Sequence, residues 1–187
     1  MTITEFCEKH DACENGHEWA ISTGLTTMAE LWLRDMRPEW REWIATRPGI
    51  LDDRELRLYA CWCVRQMWSL LPDERSKYAV EVAERFADGT ATAEELASAS
   101  ASANDAASSA WAVARAANAA CCASDARAAL AAWASSAACA ACAAIPTGRS
   151  AWHACAAIPA GRSAWVARAS YLLSNVSPDF DNKEGGL

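Results

Sequence analysis

Residues 53–89 read DRELRLYACWCVRQMWSLLPDERSKYAVEVAERFADG, and this stretch decides the fold. In its first half Leu56, Tyr59, Ala60, Cys63, Met67, Leu70 and Leu71 recur at helical spacing and make one apolar face. Trp62 lies beside that face, and the guanidinia of Arg54, Arg57 and Arg65 are expected to reach water. In the second half Tyr78, Val82 and Phe86, or alternatively Ala79, Val80 and Ala83, supply the facing stripe. Pro72 separates the two halves, Asp73 can cap the second, and Gly89 stops it. The stretch therefore predicts two amphipathic helices, 53–71 and 74–88, folded back on each other at Pro72-Asp73.

Helix signals continue on both sides. Thr2-x-x-Glu5, Thr27-x-x-Glu30, Asp52-x-x-Glu55 and Thr92-x-x-Glu95 have the form of a capping box or come close to it. Pro38 suits the first turn of a helix in RPEWREWIA. Further helices are expected at 4–20, 27–36, 38–46, 92–122, 125–145 and 150–173, the last broken at Pro159-Ala160-Gly161. No segment alternates apolar and polar residues with strand composition. The expected class is all-α, an antiparallel helical bundle with long alanine-rich C-terminal helices.

Composition divides the chain. Residues 1–91 are acidic and rich in Trp, residues 92–177 are rich in alanine, and 178–187 read as a flexible acidic tail, all within one cooperative domain. Residues 1–96 carry a net charge of −8 and residues 97–177 one of +3, within a total of −7. Alanine favours helix but buries little area, so 10 Trp and scattered Leu must fill the core. A core so thin would gain from self-association, which makes a homo-oligomer the expectation. The acidic half disfavours general nucleic-acid binding, whose affinity comes from neutralising phosphates. Nine cysteines, an odd count with Cys121 and Cys122 adjacent and no signal-peptide pattern, point to reduced thiols in a cytoplasm (the host's, if a phage encodes the chain). The 97–145 stretch is too often interrupted by Ser, Asn, Asp and Arg to span a membrane.

Residues 142–154 and 155–167 read CAAIPTGRSAWHA and CAAIPAGRSAWVA, one 13-residue unit twice over. Pro and Gly stop a helix, and the Ser after them can cap the next. Amides of a new first turn beside a guanidinium can hold an anion. Arg149, Ser150 and Trp152, with Arg162, Ser163 and Trp165, are thus the candidate site for a small anionic, nucleotide-like ligand, each indole being placed to stack on a base. The plainer reading is a duplicated helical turn whose Trp residues are core anchors.

Cys7, His10, Cys13 and His17 fall on one expected helix and invite a zinc reading. The cluster spans about 15 Å along the axis, too far for one tetrahedral ion. A site would need Cys13 with His17, or Cys7 with His10, plus ligands from elsewhere such as Cys61 or Cys63, but no metal and no cofactor are expected; Cys13 and His17 are the candidates if one binds. The surface charges Glu39, Arg41 and Glu42 read as a solvated face. There is no nucleophile elbow, Walker loop, dinucleotide fingerprint or paired-carboxylate site, so the chain is not expected to be an enzyme.

The stretch LRLYACWCVRQMWSLLPDERSKYAVEVAERFADGTATAEELASA (56–99), with DACENGHEWA (11–20) and MAELWLRDMRPEWREWIA (28–45), resembles an alanine-rich helical group found in bacteria and phages. Some members of that group are labelled immunity proteins. The resemblance covers most of the chain and carries no catalytic residues; it implies a non-catalytic protein of bacterial or phage conflict that neutralises a target by stoichiometric binding. The tandem CAAIPxGRSAW lies outside the group's pattern. Three functions are open: sequestration of a nucleotide immune signal through the Arg-bearing repeat, inhibition of a toxin or defence protein through the acidic N-terminal face, or structural assembly of oligomers.

Overall fold

The computed structural model describes residues 1–66, 68–71, 73–119 and 162–181. Among these residues the chain is all-α. Its helices are α1 (Ile3–Lys9), α2 (Glu14–Ser22), α3 (Met28–Trp32), α4 (Pro38–Ala45), α5 (Asp53–Arg65), α6 (Glu74–Ala87), α7 (Ala93–Ala119) and α8 (Arg162–Asn175), with a 3-10 turn at Trp68–Leu70. The only strand-like pairing among the described residues is an isolated bridge between Thr2 and Thr27. No described helix is long and apolar enough to cross a membrane.

The chain divides into two compact units, one of Met1–Asp52 with Arg162–Leu187 and one of Asp53–Gly161. The compositional break at 91/92 falls inside the second of these, because α6 and α7 pack on each other.

In the first unit two helix starts are built alike. Thr2 caps α1 and Thr27 caps α3, each hydroxyl accepting from the backbone N–H of the Glu three residues on, while that Glu accepts from the cap's own backbone N–H. The bridge joins the two caps, with Ile3 N–H on Thr26 O at 3.0 Å and Met28 N–H on Met1 O at 3.2 Å. The helix expected over 4–20 is two. Asp11 takes a left-handed φ of +51° after α1, a conformation that Asp tolerates better than most residues, and Cys13 opens α2. The core of this unit closes around Ile3, Phe6, Met28, Leu31, Trp32, Leu172 and Phe180. Phe6 meets Phe180 edge-on at 6.3 Å and Trp43 at 6.0 Å. Residues 178–181 therefore do not hang free as an acidic tail: Phe180 is buried against Phe6 and Trp32, and Asp179 N–H donates to Ile50 O. Residues 182–187 lie outside the described residues.

The second unit is built on α5, α6 and α7. Between α5 and α6, Arg54 reaches Asp88, Arg57 lies over Phe86, the Cys61 thiol approaches Val80 O and Arg65 pairs with Glu84. The buried residues of α6 are Ser76, Ala79, Val80, Val82 and Ala83, which joins the Ala79, Val80 and Ala83 alternative to Val82 of the other pattern, while Tyr78 is 52% exposed. On α5 the buried set is Arg57, Tyr59, Ala60, Cys61, Cys63 and Val64, and Leu56 is only half-buried. Arg57 does not reach water, because its guanidinium is held over the Phe86 ring at 5.0 Å. α5 ends at Arg65 and the chain tightens into the 3-10 turn ahead of Pro72; Met67, Pro72 and the Leu70 side chain lie outside the described residues. Asp73 caps α6 by accepting from Arg75 N–H, and Gly89, at φ +73°, supplies the left-handed residue that ends it. Thr92 and Glu95 form the third reciprocal box, at the start of α7. Leu96, Ala99, Ala103 and Ala106 then line its buried face at helical spacing.

Candidate functional site

Sequence reasoning placed the site in the tandem repeat. Arg149, Ser150 and Trp152 lie outside the described residues. Of the second copy, Arg162, Ser163 and Trp165 fall in the first turn of α8, a helix of 14 residues that begins at Arg162. Ser163 is already the second residue of that helix rather than its cap. The side chains of 162–165 are outside the described set, so the repeat contributes a helix start and no side-chain geometry.

Six residues further along α8, Arg168 is buried. It is 1% exposed, and its Nε lies 3.6 Å from Oε2 of Glu42 on α4, which is 2% exposed. Glu42 and its neighbour Arg41, expected on a solvated face, are both buried. Arg41 closes the end of α3, donating to Trp32 O at 3.2 Å and Arg34 O at 2.6 Å, with its guanidinium 5.5 Å from the Trp32 ring centre. A cation is well placed there, since the carbonyls at a helix C-terminus carry partial negative charge. Burial nevertheless pulls the Arg41 pKa below its ordinary value, against the opposing pull of Asp35. Of the three charges in this stretch, only Glu39 stays exposed.

Burial of both arginines leaves the first unit with a strongly acidic exterior. Among its described residues Glu5, Glu8, Asp11, Glu14, Glu18, Glu30, Asp35, Glu39, Asp52, Asp179 and Asp181 are exposed, against Lys9, Arg34 and Arg37. Within this exterior lies an aromatic pair that sequence reasoning missed. Trp19 of α2 and Trp40 of α4 meet at 4.8 Å between ring centres, tilted by 46°, and the Arg37 guanidinium sits 5.2 Å from the Trp40 ring. Gly16 lies beside the pair: a Cβ there would stand in ordinary contact with Trp40 Nε1, at 4.0 Å, and more tightly against Cys13 Sγ, at 3.2 Å. Both rings are half-buried, unlike Trp32, which is 4% exposed. A signal was available, for Glu-Trp occurs three times, at 18–19, 39–40 and 42–43.

The Cys/His cluster does not assemble. The break at Asp11 separates Cys7, buried in α1, from Cys13, exposed at the start of α2. His17 N–H donates to Cys13 O as an ordinary helical bond. Among the described residues no three His, Cys, Asp or Glu side chains gather as metal ligands. His10 instead lies against Phe6 at 4.6 Å, tilted by 51°, with its Nε2 buried and without a hydrogen-bond partner. Burial, with the nearby Lys9 and Arg47 charges, holds its pKa below the ordinary value. Burial likewise pushes the Cys7 thiol up.

No family model, no curated protein and no solved structure matches the chain.

Proposed function

We propose that this chain is a non-catalytic member of the helical immunity-protein group, and that it neutralises a target in bacterial or phage conflict by stoichiometric binding. The observation that carries the reading is the acidic exterior of the unit formed by 1–52 and 162–181. Its carboxylates other than Glu42 face outward, while Arg41 and Arg168 are turned inward. Such a surface attracts a basic protein face and repels nucleic acid and anionic membrane. In this reading the helices form an antiparallel bundle, the protein works in the cytoplasm as a homo-oligomer, and its target is a toxin or defence protein. A second reading, sequestration of a nucleotide signal, is supported by Arg162 and Ser163 of the repeat, which open α8.

Native mass spectrometry of the protein purified from cells carrying the relevant defence system separates the readings. The expected species contains a basic partner chain in fixed ratio and dissociates as salt rises. Added nucleotide mass without a partner would transfer the function to the repeat, and a bare oligomer would make the protein a scaffold.

A further inference from the structure

We infer that the outward stripe of α8, formed by Val166, Ser170 and Leu173, is where a second copy of this chain docks, the two helices running antiparallel across a two-fold axis at Ser170. This rests on the homo-oligomer proposed above and says on which surface the copies meet.

The two sides of α8 are unlike. Arg168, Ala169, Leu172 and Val176 are buried, and the helix packs on α4. The exposed side chains described on it are Val166, Ala167, Ser170, Leu173, Ser174 and Asn175, none of them charged. Val166 is 50% exposed and Leu173 41%. Seven residues are close to two helical turns, so these two stand within about 20° of each other around the axis. With Ser170 beside them they make one stripe rather than scattered apolar points.

Charge decides the occupant. Elsewhere the described exterior of this unit is acidic, its many carboxylates opposed by Lys9, Arg34 and Arg37. A basic partner is drawn to those carboxylates and finds no counter-charge on the stripe. A second copy is itself acidic, so it is repelled over most of that exterior and meets no charge along α8. The stripe is also self-complementary. Val166 lies four residues before Ser170 and Leu173 three after it, so a two-fold axis at Ser170 sets Val166 of each copy against Leu173 of the other. Ala167, Ser170 and Ser174 are small and let the two backbones approach. The antiparallel sense also sets the positive N-terminal end of each helix by the negative C-terminal end of the other.

Sedimentation velocity of the full chain over a wide concentration range is the test. The parent should pass from monomer to dimer as concentration rises. Val166→Glu or Leu173→Glu, each setting a charge against an apolar partner, should weaken that association by about tenfold or more. Leu33→Glu, at another exposed apolar residue of the same unit, should change it less than about twofold. Val166→Lys combined with Leu173→Glu should return the dimer toward the parent, because antiparallel copies pair the two new charges. Where Leu173→Glu loses its helical circular dichroism, Val166→Glu, at the more exposed position, carries the reading. If folded glutamate variants associate as the parent does, the stripe is wrong and the homo-oligomer stands on another surface. If the parent stays monomeric at every concentration, the stripe and the homo-oligomer both fall, while target binding is still decided by the partner chain in native mass spectrometry. If the charge-paired variant associates more weakly than either single variant, the antiparallel arrangement is overturned. If Leu173→Glu releases a target protein instead of a second copy, the occupant is the target and the assignment to a second copy is overturned.

Discussion

Nε of Arg168 stands 3.6 Å from Oε2 of Glu42, and the two side chains are 1% and 2% exposed. The pair ties α8 to α4 inside a unit made from both ends of the described chain. Two charges so deeply buried have lost their hydration, and their mutual attraction offsets that loss only while both are present. Arg168→Ala should therefore strand a buried carboxylate and cost about 3–5 kcal/mol. The double change Glu42→Leu with Arg168→Met should recover most of it. Urea denaturation followed by circular dichroism measures both, and an Arg168→Ala protein with the parent's midpoint would dissolve the assignment.

His10 makes stability depend on pH with a definite sign. Its pKa lies below its ordinary value of 6.5, so the folded state favours the neutral ring more than the unfolded chain does. The contribution is complete above the unfolded pKa and is lost as pH falls through it, until the folded pKa is passed. Between about pH 7.5 and about pH 5.5, which bracket the unfolded pKa, the parent should lose more stability than a His10→Asn variant. Parallel pH dependence of the two denaturation midpoints would exclude His10 as the cause.

The joined caps of α1 and α3 should behave as one unit. Thr27→Ala removes a side-chain cap and should cost about 1 kcal/mol. Because the bridge holds Thr2 against Thr27, a Thr2→Ala, Thr27→Ala cycle should depart from additivity. Strictly additive losses in thermal unfolding would mean that the two helix starts are independent.

Thiol reactivity should track burial. Cys13 is exposed, while Cys7, Cys61 and Cys63 are buried. Only the thiolate attacks an alkylating reagent, and burial raises the pKa of Cys7, so that thiol is doubly protected. Of these four, Cys13 should label first under native conditions, as read by peptide mass mapping. Equal rates at all four would show that α1 and α5 open faster than the reagent reacts.

The helix starts were legible in the sequence because capping is a local device. Thr2, Thr27, Asp73 and Thr92 each act on a residue two or three positions ahead, so their spacing alone announces them. Buried charge was not legible. Arg41, Glu42, Arg57 and Arg168 look like surface residues in any local window, and what buries them is a ring, a helix end or an opposite charge supplied by another element. The 4–20 pattern likewise gave no warning at Asp11, whose left-handed turn is a tertiary decision. The candidate site was read from the repeat, where motif and duplication are visible. The Trp19–Trp40 pair needs two helices brought together, and spacing within one helix cannot report that.

The unit that holds Glu42 and Arg168 is interrupted in sequence by the whole of 53–161. During synthesis Glu42 emerges more than a hundred residues before its cation. At a translation rate of about 5–20 residues per second that interval is on the order of ten seconds. Until it ends, Phe6 and Trp32 have no Phe180 to close on, and the α4 surface that will receive α8 faces solvent. Within the interruption, α5, α6 and α7 (residues 53–119) can meanwhile form their local contacts of short loop closure. The nascent protein therefore matures from its middle outward, and its acidic N-terminal unit is completed last.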